Sequence, residues 1–170
     1  MNRFRKSIIA SMVLIWLLIG IVFADVETEV NNVLSGVVAG NNAEADKISS
    51  KLLEMNPEAT RILCSRLVPT GTGNDNKERM AINSLTLFIG KNATEEQRKD
   101  YANLLAEAIF ASKDRFVTEF LVGQLQLIGK DESAAVLGKL LKDKELCDAA
   151  CRALLAIGTE NASKTLVETL

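Results

Sequence analysis

Residues 121–170 read LVGQLQLIGKDESAAVLGKLLKDKELCDAACRALLAIGTENASKTLVETL. Within this stretch Ile128-Gly129 and Ile157-Gly158 stand 29 residues apart, and the same offset pairs Leu125 with Leu154, Leu137 with Leu166 and Leu141 with Leu170. Between these markers the apolar residues return at steps of three and four, the period of a helix with one buried face. Each repeat therefore holds two helices. A unit this small has too little partner surface of its own and must bury its stripe against the next unit. Upstream, Ile89-Gly90 reads as a third, looser copy, 39 residues before the second, with the extra length taken up between Thr94 and Lys113.

Working outward, the periodic pattern begins near Glu78. Ala81, Ile82, Leu85, Phe88 and Ile89 mark one helix face, and Gly90 is expected to end that helix. Thr94 and Gln97 form a capping-box pattern for the next helix, whose stripe is Tyr101, Leu104, Leu105, Ala108 and Ile109. Asp114 is placed to cap a helix through Val117, Phe120, Leu121, Leu125 and Ile128; Thr159 is placed to cap the last one. Before the repeats, three shorter helices fit residues 25–69: one through Val26, Val30, Val33, Leu34 and Val37, one from Ala43 to Met55, and one opened by Pro57. These are expected to form an irregular cap. Residues 70–77 are polar and glycine-rich and read as a loop. No alternating strand pattern follows Ala24, so the expected class is all-α.

The stretch Leu140-Leu141-Lys142-Asp143-Lys144-Glu145-Leu146, followed by Ala149-Ala150-Cys151-Arg152-Ala153-Leu154 and Ala156-Ile157-Gly158, resembles the short bacterial HEAT-like repeat. That family includes the helical repeats of phycobilin lyases. The resemblance is good over 121–170, weaker over 78–120, and absent before that. It implies a right-handed α-α superhelix, an α-solenoid of stacked hairpins of the armadillo-like kind, commonly used for protein binding. It also implies that Asp143, in the turn between helices, and Arg152, on the second helix, tie adjacent units by hydrogen bonds. The usual proline of the first-helix turn is missing, and Cys147 and Cys151 stand where Arg and Ala are more frequent. Leu170 falls in the first helix of a further unit, so the resemblance implies either end-to-end pairing at the C-terminal helix or a fragment of a longer array.

The N-terminus has a different character. Arg3, Arg5 and Lys6 precede an apolar run from Ile8 to Phe23, and Val22-Phe23-Ala24 carries small residues where a signal peptidase reads. These features favour a secretory signal cleaved after Ala24 over an uncleaved membrane anchor, and both readings place the rest outside the cytoplasm, in the periplasm or the medium. Cleavage removes three positive charges and takes the formal net charge from −2 to −5. A mildly acidic chain without a basic block does not suit a nucleic-acid partner.

Little here suggests chemistry. The chain has no histidine, which excludes Ser-His-Asp and Cys-His arrangements and His-bearing zinc sites. The pairs Glu95-Glu96 and Asp131-Glu132 fall at helix starts, where exposed amides favour negative charge. Gly71-Thr72-Gly73 lacks the Gly-Lys-Ser/Thr ending and the preceding strand of a phosphate-binding loop. Cys147 and Cys151 lie one helical turn apart, a spacing that permits a disulfide if the side chains bend to meet; the alternative is two small core-edge residues. Cys64 stands alone. Tyr101 and Phe110 read as packing residues, while Phe110, Phe116 and Phe120 are candidates for the border of a groove.

The sequence thus points to an exported helical scaffold that binds a protein, without cofactor, metal or catalytic residues. An accessory or lyase-like factor handling a prosthetic group is the main alternative, recognisable by an apolar pocket with a reactive thiol in it. A membrane-anchored spacer in a larger assembly is the other.

Overall fold

The structure, a computed structural model, describes residues 25–36 and 42–169. The leader reading, Val37, the stop at Gly40-Asn41 and the Leu141–Leu170 pairing lie outside those residues. The described residues form nine helices and no strand. They are α1 (25–35), α2 (Asn42–Glu54), α3 (Glu58–Ser65), α4 (Asn76–Asn92), α5 (Glu95–Ala111), α6 (Arg115–Ile128), α7 (Asp131–Leu140), α8 (Cys147–Ile157) and α9 (Glu160–Thr169). Among the described residues no helix is long and apolar enough to cross a membrane.

Most of these helices are too short to persist alone, so packing decides their arrangement. From α2 onward each helix packs on its next-but-one neighbour: α2 on α4, α4 on α6, α6 on α8, and likewise α3 on α5, α5 on α7, α7 on α9. Cross-contacts such as α5 with α6 and α7 with α8 join the two rows. One apolar cluster runs the whole way, from Val30 through Leu52, Leu85, Leu105 and Leu125 to Leu166. The three N-terminal helices share this core.

Local signals set the helix ends. Thr94 Oγ1 accepts from Gln97 N at 3.2 Å while Thr94 N donates to Gln97 Oε1 at 3.0 Å, completing the capping box of α5. Asp114 Oδ1 accepts from Val117 N at 2.9 Å, and Thr159 Oγ1 from Ala162 N at 3.2 Å. The 29-residue offset coincides with element ends: α6 and α8 stop at Ile128 and Ile157, and α7 spans 131–140 as α9 spans 160–169. The two glycines that follow serve different needs. Gly158 adopts the left-handed conformation at φ 64°, which disfavours any side chain. Gly129 is extended, but a Cβ there would lie 2.6 Å from Ser133 Oγ and 2.7 Å from the Leu125 carbonyl oxygen. Gly90 does neither. It stays helical with open space around it, and α4 continues to Asn92. The expected stop at Gly90 is therefore moved by the capping box, which obliges the chain to turn at Ala93 and Thr94.

Arg98 fixes how α6 and α7 sit on α5. Its guanidinium donates to the Ile128 carbonyl at 2.7 Å, satisfying a carbonyl in the last turn of α6 that has no partner within its own helix. It also grips both Glu132 oxygens, at 2.6 and 3.2 Å, and both Glu95 oxygens, at 2.8 and 3.2 Å. Lys130 Nζ adds a contact to Glu95 at 2.8 Å. The Arg98 and Glu132 side chains are 9% and 12% exposed, so removing one partner strands the other in a desolvated place. Replacing Arg98 by Met keeps the stem and deletes the donors. This should destabilise the fold by about 2–4 kcal/mol in urea denaturation, whereas a loss under about 1 kcal/mol would show that the fold does not rely on this contact.

The same cluster makes the protein acid-sensitive. Hydrogen bonds from Arg98, then Lys130, hold the Glu95 carboxyl at about 2, below its ordinary 4.5. Burial raises the Glu132 carboxyl, but the Arg98 hydrogen bond and the backbone amides outweigh it, and the net direction is also down. Arg98 itself is shifted upward, mainly by Glu132, and stays charged. Folded values below unfolded ones mean that the stabilisation is complete above about 4.5 and is lost as pH falls toward about 2. Melting temperature should fall between pH 6 and pH 3, less steeply in Glu132→Gln than in the wild type. Parallel curves would remove Glu132 from this account.

Candidate binding cleft

α3 packs alongside α5 but is 8 residues long against 17. At 1.5 Å per residue α5 outruns it by about 13 Å. Beyond Ser65 no described helix covers Ala108 and Ala111 fully, and a hollow of about 620 Å³ opens there. Its floor and walls are largely apolar: Leu104, Ala108, Val117 and Leu121 on one side, Cys64, Leu67 and Pro69 on the other. A second hollow of about 440 Å³ lies toward the start of α5, where Asn56, Gln97, Asp100 and Asn103 make it polar. Arg61, Leu104 and Glu107 line both. The two are thus halves of one cleft along α3 and α5, crossed by the Arg61–Glu107 ion pair at 3.6 Å.

The wall formed by Leu67 and Pro69 belongs to the loop before α4, and Asp75 holds it. Asp75 Oδ2 accepts from Val68 N at 3.0 Å and from Arg79 Nε at 2.9 Å, while Arg79 Nη2 donates to the Val68 carbonyl at 3.3 Å. Burial raises the Asp75 carboxyl, but the Arg79 hydrogen bond and the Val68 amide more than offset this, and its pKa is lowered. The loop also turns on itself: Thr72 bonds the Pro69 carbonyl through both its hydroxyl and its amide, and Gly71 has φ 84°.

Cys64 stands in the apolar half of the cleft, where an accessory enzyme would want a thiol. Burial pushes that thiol from its ordinary 9.0 up to about 12, which lowers the thiolate population about a thousandfold. A protonated thiol is a poor nucleophile. Cys147 and Cys151 are separate thiols rather than a disulfide; Cys147 Sγ is directed at the Lys144 carbonyl, 3.7 Å away. Asp143 Oδ1 accepts from Glu145 N at 2.9 Å within its own turn, and Arg152 pairs with Asp148 on its own helix. The tie between units expected of Asp143 and Arg152 is thus made elsewhere, by Arg98. The reason is reach: Asp143 is engaged by the turn it sits in, and Arg152 has an acid one helical turn away.

The three phenylalanines considered for a groove border each meet a cation. Phe110 lies under Lys139 of α7, Phe120 under Arg79 of α4, and Phe116 beside Arg115; none of the three lines the larger hollow. Tyr101 is a core residue, its hydroxyl 3.0 Å from Thr86 Oγ1 and 3.3 Å from the Ile82 carbonyl. The acidic pairs Glu95-Glu96 and Asp131-Glu132 lie in the first turns of α5 and α7, where Glu95 and Glu132 are taken up by Arg98. Among the described residues no three His, Cys, Asp or Glu side chains gather as a metal would require.

No family model matches the chain, and neither a curated protein nor a solved structure matches it. At about 620 Å³ the cleft's larger half has the volume of known ligand sites, and its lining joins apolar side chains to the charged Arg61, Glu107, Lys113 and Asp114. With Cys64 desolvated by the side chains packed around it, iodoacetamide at pH 8 should label it far more slowly than a free thiol, with a rate that keeps rising with pH toward about 12. Peptide mapping by mass spectrometry reads this, and labelling at the rate of a free thiol would favour the accessory-enzyme alternative.

Proposed function

We propose that this protein is an exported, non-catalytic scaffold built as an α-solenoid of stacked HEAT-like hairpins, and that it binds a protein partner along the α3–α5 cleft. The solenoid reading draws support from the next-but-one packing of the helices and from the 29-residue offset that maps the ends of α6–α7 onto those of α8–α9. The observation that carries the binding role is the continuous cleft. Two hollows joined at Arg61, Leu104 and Glu107 offer one long surface, apolar at one end and polar at the other. Interfaces built around an apolar anchor with a polar rim use surfaces of this kind. A factor handling a prosthetic group would use the same hollow, but the protonated state of Cys64 weighs against it. Export rests on the basic-then-apolar N-terminal run.

Ala108 faces the larger hollow from α5 and is half-buried, so Ala108→Arg fills the cleft while its long side chain retains a route to solvent. In side-by-side affinity capture from the native envelope or medium, the protein bound by wild type should be lost from Ala108→Arg, with circular dichroism and melting temperature unchanged. A partner retained in full by a folded Ala108→Arg would overturn the cleft as the docking surface.

A further inference from the structure

The charges along the cleft are polarised. At the polar end the Asp100 carboxylate and the Asn103 carboxamide line the hollow, and among the described residues neither has a hydrogen-bond or ion-pair partner. Glu107, shared by both hollows, is held loosely by Arg61 at 3.6 Å and is 63% exposed. At the apolar end the lining charges balance, Arg61 and Lys113 against Glu107 and Asp114. Lys113 lines the hollow without an ion-pair partner among the described residues, while the Asp114 carboxylate is committed to capping α6. A ligand is therefore favoured with positive charge near Asp100 and Glu107, where two carboxylates stand against Arg61 alone, and with an uncharged group at the balanced end. Between the two ends the floor is Leu104, and the deep part beside Cys64 and Leu121 takes an apolar group.

We propose that the cleft binds an extended peptide segment in which a basic side chain meets Asp100 and Glu107 and an apolar side chain fills the hollow beside Cys64. This rests on the cleft being a protein-docking surface. Spacing follows from the helix. Asp100 and Ala108 are eight residues apart on α5, about 12 Å, and an extended chain advances about 3.3 Å per residue, so the basic and apolar residues stand about four positions apart. At that separation both side chains leave an extended chain on the same face. The Arg61–Glu107 pair does not close the path, because an ion pair this exposed holds its partners weakly and can exchange for the incoming cation.

The probe is acetyl-arginyl-seryl-alanyl-seryl-leucine amide, titrated into the isotope-labelled protein and read by backbone amide shifts. Shifts should gather on residues of α3 and α5, among them Cys64, Asp100, Leu104 and Glu107. The peptide with glutamate in place of arginine should bind about fivefold more weakly, and D100N with E107Q should abolish that preference. A peptide with serine in place of leucine should lose the shifts at Cys64 and Leu104. Equal binding of the arginine and glutamate peptides at the cleft would overturn the proposed ligand while leaving a protein-docking cleft in place. Shifts outside α3 and α5, or none with any of the peptides, would overturn the proposal outright; a partner lost on Ala108→Arg would then show that the cleft docks some other surface.

Discussion

Everything beyond α5 depends on how α6 and α7 are seated against it, and the guanidinium of Arg98 sets that seat. An apolar stripe specifies that a helix be buried but leaves its axial position free within a turn or so, because neighbouring leucines are nearly interchangeable contacts. A planar, five-donor group does not allow such slippage. By reaching the Ile128 carbonyl and the Glu132 carboxylate together, Arg98 locks the end of one helix and the start of the next to a single point on a third. The row α6–α8 and the row α7–α9 then inherit their register from that point. Desolvating so large a cation is unfavourable, and three acceptor groups with well-aligned oxygens offset it.

What was legible in the sequence was local. Caps need residues three positions apart, so Thr94–Gln97, Asp114 and Thr159 could be read directly, and each makes its expected bond. The 29-residue offset could be read because it pairs like with like. Arg98 was harder, since its partner Glu132 lies 34 residues away. A signal did exist: Arg98 falls in line with Tyr101, Ala102, Leu105 and Ile109 on the buried stripe of α5. A charged residue on an apolar stripe asks for a partner. Gly90 failed for the complementary reason: a glycine permits a helix to stop without compelling it, and the stronger cap four residues on prevailed.

The cleft was invisible for a different reason. It arises from a mismatch between the lengths of α3 and α5, and length mismatch has meaning only once the two are known to lie side by side. The small residues Ala108 and Ala111 read equally well as close packing. The cysteines show the same dependence on context. Counting back 29 residues places Cys147 and Cys151 at the positions of Thr118 and Val122, which are buried in the preceding unit. Small, weakly polar side chains suit such packing positions, which accounts for two thiols a turn apart without requiring a bond between them.

The fold and the cleft use the same pair of side-chain types, arginine and glutamate, with opposite consequences, and burial decides which. Arg98 and Glu132, 9% and 12% exposed, are shielded from water and salt, so their separation would leave a charge uncompensated and the pair holds three helices together. Arg61 and Glu107, 49% and 63% exposed across the cleft, interact through a high dielectric, where such a pair is worth about 1 kcal/mol or less. Water or a ligand group can replace either partner at small cost. Contacts of the second kind leave a surface free to exchange its partners for water, and contacts of the first hold the helices beneath it in place. α5 carries both, with Arg98 in its first turn and Glu107 toward its far end, so the helix that anchors the architecture is also the one that lines the cleft.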